Sequence, residues 1–403
     1  MPIPEFIADI EKNINLMGRG EREVVIIHHN DADGLASAAI LKIALSRVGF
    51  DVKQIALERV HPPIVERIQS SFKATIIYSD LGGRAAPSIS TINKGRNLTL
   101  ILDHHPAEEA TDLMVHNLST ELYGMSGEKD ISASTATFLF GKVLNDKNKD
   151  LAYLAVVGAV GDSHDRSGHL VGENRRALLE AVKRGDIKIE GTNEKEKYIL
   201  KRFGEETSVS EFASSLTTLG AVGYYADGPI LGIKVCLEGP SAESSKKIKE
   251  LEGVKERAFG KIIKESMGKG LKQTNHIQWF HVYDSFAPMG VKMIGEFCMY
   301  IRNRDFIDFN KYIAGFQNMH TTIPGLGEFK WNLSKISMRL PSSLEEKVVN
   351  KEMPGLAYVL PEAAKVVGGS IDACHDYAAA SLIPKGLEKR LIKEMNRVIE
   401  QML

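Results

Sequence analysis

Four short segments each set an Asp, or an Asp–His group, directly after an apolar run: VVIIHHNDADG (Val24–Gly34), ATIIYSD (Ala74–Asp80), LTLILDHHP (Leu98–Pro106) and LAVVGAVGDSHD (Leu154–Asp165). The first three runs are short and β-branched, which predicts buried strands of a parallel sheet. The fourth, rich in small residues, reads as a helix delivering Asp162. In such α/β sheets ligands gather outside the carboxyl ends of the strands. His29, Asp31, Asp33, Asp80, Asp103, His104 and His105 are therefore expected on one edge, with Asp162 joining them. Together these groups would repel one another and lose solvation unless cations neutralised them. The economical chemistry for such a cluster is a two-metal hydrolytic site.

Within the first segment His29, Asp31 and Asp33 recur with a period of two, so an extended loop turns all three to one side. Gly34 follows where the chain must bend into a helix. An Asp at that position also suits a helix N-cap, and Asp80 taken alone suits a turn; the coincidence of four such chain ends favours ligation. Mixed Asp/His donors without thiolate suit Mn²⁺, with Mg²⁺ or Co²⁺ as substitutes. One ion is assigned to His29, Asp31 and Asp80, the other to Asp33, Asp80, His104 and Asp162, with Asp80 bridging. Asp103 is expected to orient a neighbouring imidazole, and His105 to contact phosphate or assist the leaving oxygen; these two are the catalytic assignments. His164 and Asp165 are read as outer or surface groups.

With 403 residues the chain exceeds one ordinary core, so two domains are expected. The βα alternation extends from an opening helix at Pro4–Met17 through a helix at Gly34–Val48, a strand at Val52–Leu57 and a helix near Pro63–Phe72. Further helices are predicted at Ser132–Val143 and Leu151–Val160. The fold class is α/β: a parallel-sheet catalytic domain over 1–190, a linker with a helix over 191–228, and a smaller α/β domain over 229–403. In the last, ILGIKVCL, HIQWFHVY and KYIAGF read as strands, ahead of a glycine-rich segment, Val366–Gly386, and a charged final helix. Cys236, Cys298 and Cys374 are scattered, with neither zinc spacing nor a disulfide framework, which fits a reducing compartment. The N-terminus lacks a signal-peptide pattern and no apolar run reaches membrane-spanning length, so a cytoplasmic protein without membrane contact is expected. A net charge of −1 gives no global argument for nucleic acid. The run Lys246–Lys272, nine Lys/Arg against four Glu, reads as a solvated helix face before a backbone-binding stripe.

Taken in order, HHNDADG, YSDLGG, DHHP and AVVGAVGD resemble the four motifs of the DHH-family phosphoesterases, and more narrowly the RecJ-like nucleases. The double His before the Asp pair resembles the archaeal branch; bacterial RecJ carries an Asp where His29 stands. The C-terminal segment is similar to the DHHA1 substrate-binding domain, through Gly368-Gly369, His375 and the Ala378–Ala380 run. That resemblance implies that Arg339, Gly368, Gly369, His375 and Lys385 bind the substrate backbone, gripping phosphate without reading bases. Two departures, Cys374 and Ser381 where glycines are usual, bear on how closely the backbone approaches a phosphate. The activity implied is a Mn²⁺-dependent exonuclease on single-stranded DNA or RNA, in replication, repair or RNA turnover, with a replication or repair protein as a possible docking partner. A phosphodiesterase or phosphatase for dinucleotides, nanoRNA or nucleotide bisphosphates shares the same motifs. A scaffolding relative would have lost metal ligands, all of which are present here.

Overall fold

The computed structural model describes residues 2–192, 194–266 and 270–403. Its first sheet is built from β1 (Glu23–His29), β2 (Asp51–Leu57), β3 (Thr75–Ser79), β4 (Thr99–Leu102) and β5 (Val115–Asn117). All neighbours are parallel and the order is β2-β1-β3-β4-β5. The order reverses between β1 and β3, and the carboxyl ends at such a switch point open a crevice. Register aligns those ends: His28 pairs with Ser79, and Ser79 with Leu102. His29, Asp80 and Asp103, each one residue further on, therefore share a row along the sheet edge.

The crossovers are helical, as the apolar spacing requires: α1 (Pro2–Met17) precedes β1, α2 (Ala32–Ser46) follows it, and α3 (Pro62–Ser71) and α4 (Ala86–Asn93) connect the next strands. After β5 come α5 (Ala133–Leu144), α6 (Ala152–Gly161) and α7 (Gly172–Lys183). Helices α2, α5 and α6 pack on one another through small residues, with Ala36, Ala39, Ala136 and Ala155 fully buried. Such close approach lets polar groups on three helices meet at one point.

Beyond α7 the structure departs from expectation. The region 191–228 begins with a hairpin, not a helix: Ile187–Thr192 (β6) and Lys195–Leu200 (β7) are antiparallel and joined by β8 (Thr207–Ser208), and a helix follows only from Val209. The alternation in DIKIEGT and KEKYIL is a strand period of two, hidden by its charge. ILGIKVCL is not a strand but lies in α9 (Gly228–Glu238), after α8 (Val209–Thr217). Its buried positions, Gly228, Pro229, Gly232, Ile233, Val235 and Cys236, follow helical spacing. Because α8 packs on α6 and α9 on α2, this segment completes the first unit. The units are Met1–Lys249 with Pro324–Leu326, and Glu250–Ile323 with Gly327–Leu403, which moves the expected division from residues 190–229 to Lys249. The basic run occupies α10 (Ala242–Ser266), whose Lys246, Lys249, Arg257, Lys261 and Lys264 are exposed; residues 267–269 of that run lie outside the described residues.

The second unit holds a six-stranded mixed sheet of β9 (Lys272–Gln273), β10 (Ile277–His281), β11 (Tyr312–Asn318), β14 (Leu333–Arg339), β15 (Ser370–Cys374) and β16 (Ala378–Pro384), in the order β15-β16-β14-β11-β10-β9. A small hairpin, β12 (Thr322–Ile323) and β13 (Gly327–Glu328), interrupts it. Helix α11 (Met293–Ile301) packs on β11 and β14. The core around Trp279, Phe316 and Met338 is closed by α12 (Ser342–Val349), α13 (Leu356–Val366) and α14 (Glu388–Glu400), through Leu344, Leu360 and Met395.

Candidate metal centre

The loop after β1 presents its acids through helix-end chemistry. Asp31 caps α2, accepting the Gly34 amide at 3.1 Å through Oδ1, while its Oδ2 lies 2.9 Å from His29 Nδ1. The capping and ligating readings of this residue thus coexist, one oxygen for each. Gly34 is obligatory: a Cβ there would lie 2.3 Å from the His29 carbonyl oxygen. Asp33, 1% exposed, points the other way and accepts the Ala133 and Ser134 amides at 2.9 and 3.0 Å, so it sits on the positive N-terminus of α5. His28 turns to the opposite face, where burial pushes its pKa down to about 4 and keeps it neutral.

Asp80 ends β3 in the left-handed region, φ 61°, and is 2% exposed. One of its oxygens lies 3.4 Å from His29 Nδ1 and the other 3.4 Å from His104 Nε2. His104 Nδ1 lies 2.5 Å from the Gly127 carbonyl, so its N–H donates there and Nε2 faces the cluster. His104 Nε2 is also 3.4 Å from Asp162 Oδ2 and 4.0 Å from Asp33 Oδ2. Asp162 arrives as the C-cap of α6. Asp80 Oδ2 and His104 Nε2 are buried with no hydrogen-bond partner among the described residues. Beside them Asp103 accepts the Gly83 amide at 2.8 Å, the His104 amide at 2.8 Å and His105 Nδ1 at 2.8 Å.

Crowding shows in the protonation equilibria. Burial, with Asp80 next in weight, pushes Asp33 up to about 8. Burial opposes charge on His104, yet Asp80, Asp162 and Asp33 outweigh it and hold the imidazole well above its ordinary value. For Asp162 burial is outweighed by His164 and His104, and for Asp103 by His105, leaving both below the usual carboxylate range. Protons thus neutralise part of this cluster, a role that divalent cations fill better because each carries two charges. The oxygen and imidazole donors, free of thiolate, fit such a cation.

The expected ligands converge as two groups sharing Asp80: His29, Asp31 and Asp80 lie within ligating reach of one another, and His104 faces Asp80, Asp162 and Asp33. Arg339, Gly368, Gly369, His375 and Lys385 belong to the second unit and divide between two ends of its β15–β16 hairpin. Arg339 pairs with Ala378, whose carbonyl accepts the His375 amide at 2.8 Å. Gly369 instead adjoins Leu382 and Ile383, near Lys385, at the opposite end. Gly368-Gly369 therefore forms a turn separated from His375 by the whole length of β15, and the residues directly before the histidine are Ala373-Cys374. Sequence reasoning also passed over the α5 amides, the Gly127 carbonyl, Gly158, where a Cβ would lie 2.2 Å from Asp33 Oδ1, and Asn174, whose Nδ2 lies 2.8 Å from His164 Nδ1. Only Gly158, a small residue inside a buried helix, left a trace in the sequence.

Residues 23–159 match the family described as DHH family, N-terminal domain, and the cluster at the ends of that sheet is suited to divalent metal. Among solved structures it is similar to RecJ in complex with Mn²⁺ from Thermus thermophilus, with a TM-score of 0.64 and 14% identity over 97% of this chain and 55% of that one. CDC45 from Entamoeba histolytica superposes with a TM-score of 0.58 and 11% identity, covering 98% of this chain and 99% of that one. An uncharacterized protein of Methanocaldococcus jannaschii, MJ0831, is 29% identical over 170 residues, 41% of this chain. The chain thus spans 38% of that archaeal protein and about half of the Thermus RecJ chain. The structural likenesses are of fold. Among the described residues, no helix is long and apolar enough to cross a membrane.

Proposed function

We propose that this protein is a Mn²⁺-dependent phosphodiesterase that removes nucleotides from an end of single-stranded DNA or RNA. One observation carries the reading: Asp80 offers one oxygen toward His29 and the other toward His104, each at 3.4 Å, as a bridge between two cation sites requires. Two divalent cations bound there would polarise the phosphoryl oxygens and activate a water for in-line attack. His29 and Asp31 hold one side of the site and Asp33, His104 and Asp162 the other. Asp103 fixes the His105 ring by accepting its Nδ1–H, so Nε2 is directed outward and can contact a phosphate oxygen or the leaving oxygen.

A polymeric substrate is favoured over a small one by Arg339. Its guanidinium is largely buried, Nη1 donates only to the Met338 carbonyl at 2.7 Å, and Nε has no hydrogen-bond partner among the described residues. Among the described residues Arg339 forms no ion pair, although Glu296 favours its charge, and such a buried cation suits a phosphate. His375 shares that end of the sheet. The second reading, hydrolysis of dinucleotides or nucleotide bisphosphates, draws on the same metal cluster and on the Ala373-Cys374 pair before His375.

The test is digestion of end-labelled single strands, DNA and RNA, alongside a dinucleotide, in Mn²⁺. Processive shortening of the long strands is expected; cleavage of the dinucleotide alone would establish the second reading. Asp80→Ala is expected to lower turnover of any cleaved substrate by more than the roughly 10–100-fold typical of outer hydrogen-bond partners. Substantial residual activity would contradict the bridge.

A further inference from the structure

We propose that His164 is a positioning residue: locked by Asn174 with its proton on Nε2, it holds the Asp162 carboxylate toward the cluster and is not itself a metal ligand. The inference rests on the metal-centre reading above. His164, His104 and Asp162 lie close enough to pass for a third ligating triad. Hydrogen-bond polarity decides against it.

The Asn174 amide nitrogen can only donate. The Ser132 amide donates to Asn174 Oδ1 at 3.0 Å, and Thr135 Oγ1 donates to the same oxygen at 2.7 Å. Asn174 Oδ1 is thereby fixed, and Nδ2 faces His164 Nδ1 at 2.8 Å and the Lys129 carbonyl at 3.3 Å. An amide NH₂ has no lone pair to offer, so Nδ1 of His164 accepts. The neutral ring then carries its proton on Nε2, which points at Asp162 Oδ2 at 3.3 Å. A nitrogen bearing that proton has no lone pair for a cation.

The backbone is bent to make this contact. Helix α6 ends with the Ser163 amide on the Val160 carbonyl and the His164 amide on the Ala159 carbonyl, both at 3.0 Å, closing a Schellman turn. Ser163 occupies the left-handed position, φ 61°, where glycine is the usual choice. This turn folds His164, 2% exposed, back against Asp162. Among the described residues His164 is the one hydrogen-bond donor to the Asp162 side chain, which otherwise faces His104. His164 and Asn174 both lie beyond the matched segment 23–159.

The test is calorimetric titration of the full chain with Mn²⁺, with the thermal midpoint of each metal-free variant as a second readout. His164→Leu is expected to weaken binding about 10–100-fold. His164→Gln, whose amide donates to the same oxygen, is expected to recover most of it. A Leu variant that binds as the parent does while only its melting falls would overturn the proposal, leaving His164 a packing residue. A Gln variant as weak as Leu would overturn it in favour of direct ligation. A parent chain that bound no Mn²⁺ would overturn the metal centre itself and this inference with it. Should the Leu variant fail to fold, nitrogen NMR of the parent decides. The Nε2–H tautomer is expected both without and with diamagnetic Mg²⁺; a metal-shifted, proton-free Nε2 would refute the assignment.

Discussion

Asp33 is caught between two demands: two α5 amides favour its charge, while burial and Asp80 oppose it, and opposition prevails, with its pKa near 8. Its folded-state value exceeds that of an unfolded aspartate, so between about pH 4 and pH 8 the metal-free folded chain keeps a proton that the unfolded chain has lost. Stability of the metal-free protein is therefore expected to fall as pH rises through that window. His104, raised well above 6.5, acts in the same sense: its contribution is complete below the unfolded value and is lost as pH climbs through the folded one. Asp103 and Asp162, both depressed, contribute stability that disappears only in stronger acid. Ligation displaces the protons on Asp33 and His104, so Mn²⁺ binding tightens with pH. Melting curves with and without Mn²⁺ should show a thermal gain that grows between about pH 6 and pH 8; a gain independent of pH would contradict the assignment of these two residues. The spacing of His29, Asp31 and Asp33 made their shared loop legible in the sequence. The partners of Asp33 were not, because the α5 amides stand about a hundred positions away and a backbone amide has no sequence signature.

At the scale of elements, three tightly packed helices bring the cluster together, and Gly158 of α6 keeps room for it. A Cβ there would lie 2.1 Å from Ser134 Oγ and 2.2 Å from Asp33 Oδ1. Gly158→Ala is expected to cost about 1–3 kcal/mol, as overpacking does, and to weaken Mn²⁺ binding by moving Asp33. Gly260→Ala serves as the contrast: on exposed α10 a Cβ meets nothing within 4 Å, and a gain of up to about 1 kcal/mol with unchanged metal binding is expected. Urea unfolding and metal titration of both variants check this pair. The strands β1, β3 and β4 were legible as short β-branched runs. ILGIKVCL was misread because a continuous apolar run of that length does not distinguish strand from buried helix. The β6–β7 hairpin escaped because Lys and Glu dominate its alternation, even on the inner face of β7, where Glu196 is buried beside Tyr198 and Leu200.

Over the whole molecule, the cluster suited to metal lies in the parallel unit, whereas Arg339 and His375 belong to the mixed-sheet unit. The order β2-β1-β3-β4-β5 concentrates the chemistry at the β1/β3 switch point, which explains why acids from such distant segments meet. The parallel architecture followed from the βα alternation; the unit boundary did not, because α8 and α9 return to pack on α6 and α2. The most direct measurement is anomalous diffraction at the manganese edge from crystals of the full chain soaked in Mn²⁺. Two peaks are expected, both in contact with Asp80, one beside His29 and Asp31 and the other beside His104 and Asp162. No peak, or a single ion that leaves His104 without metal, would contradict the account.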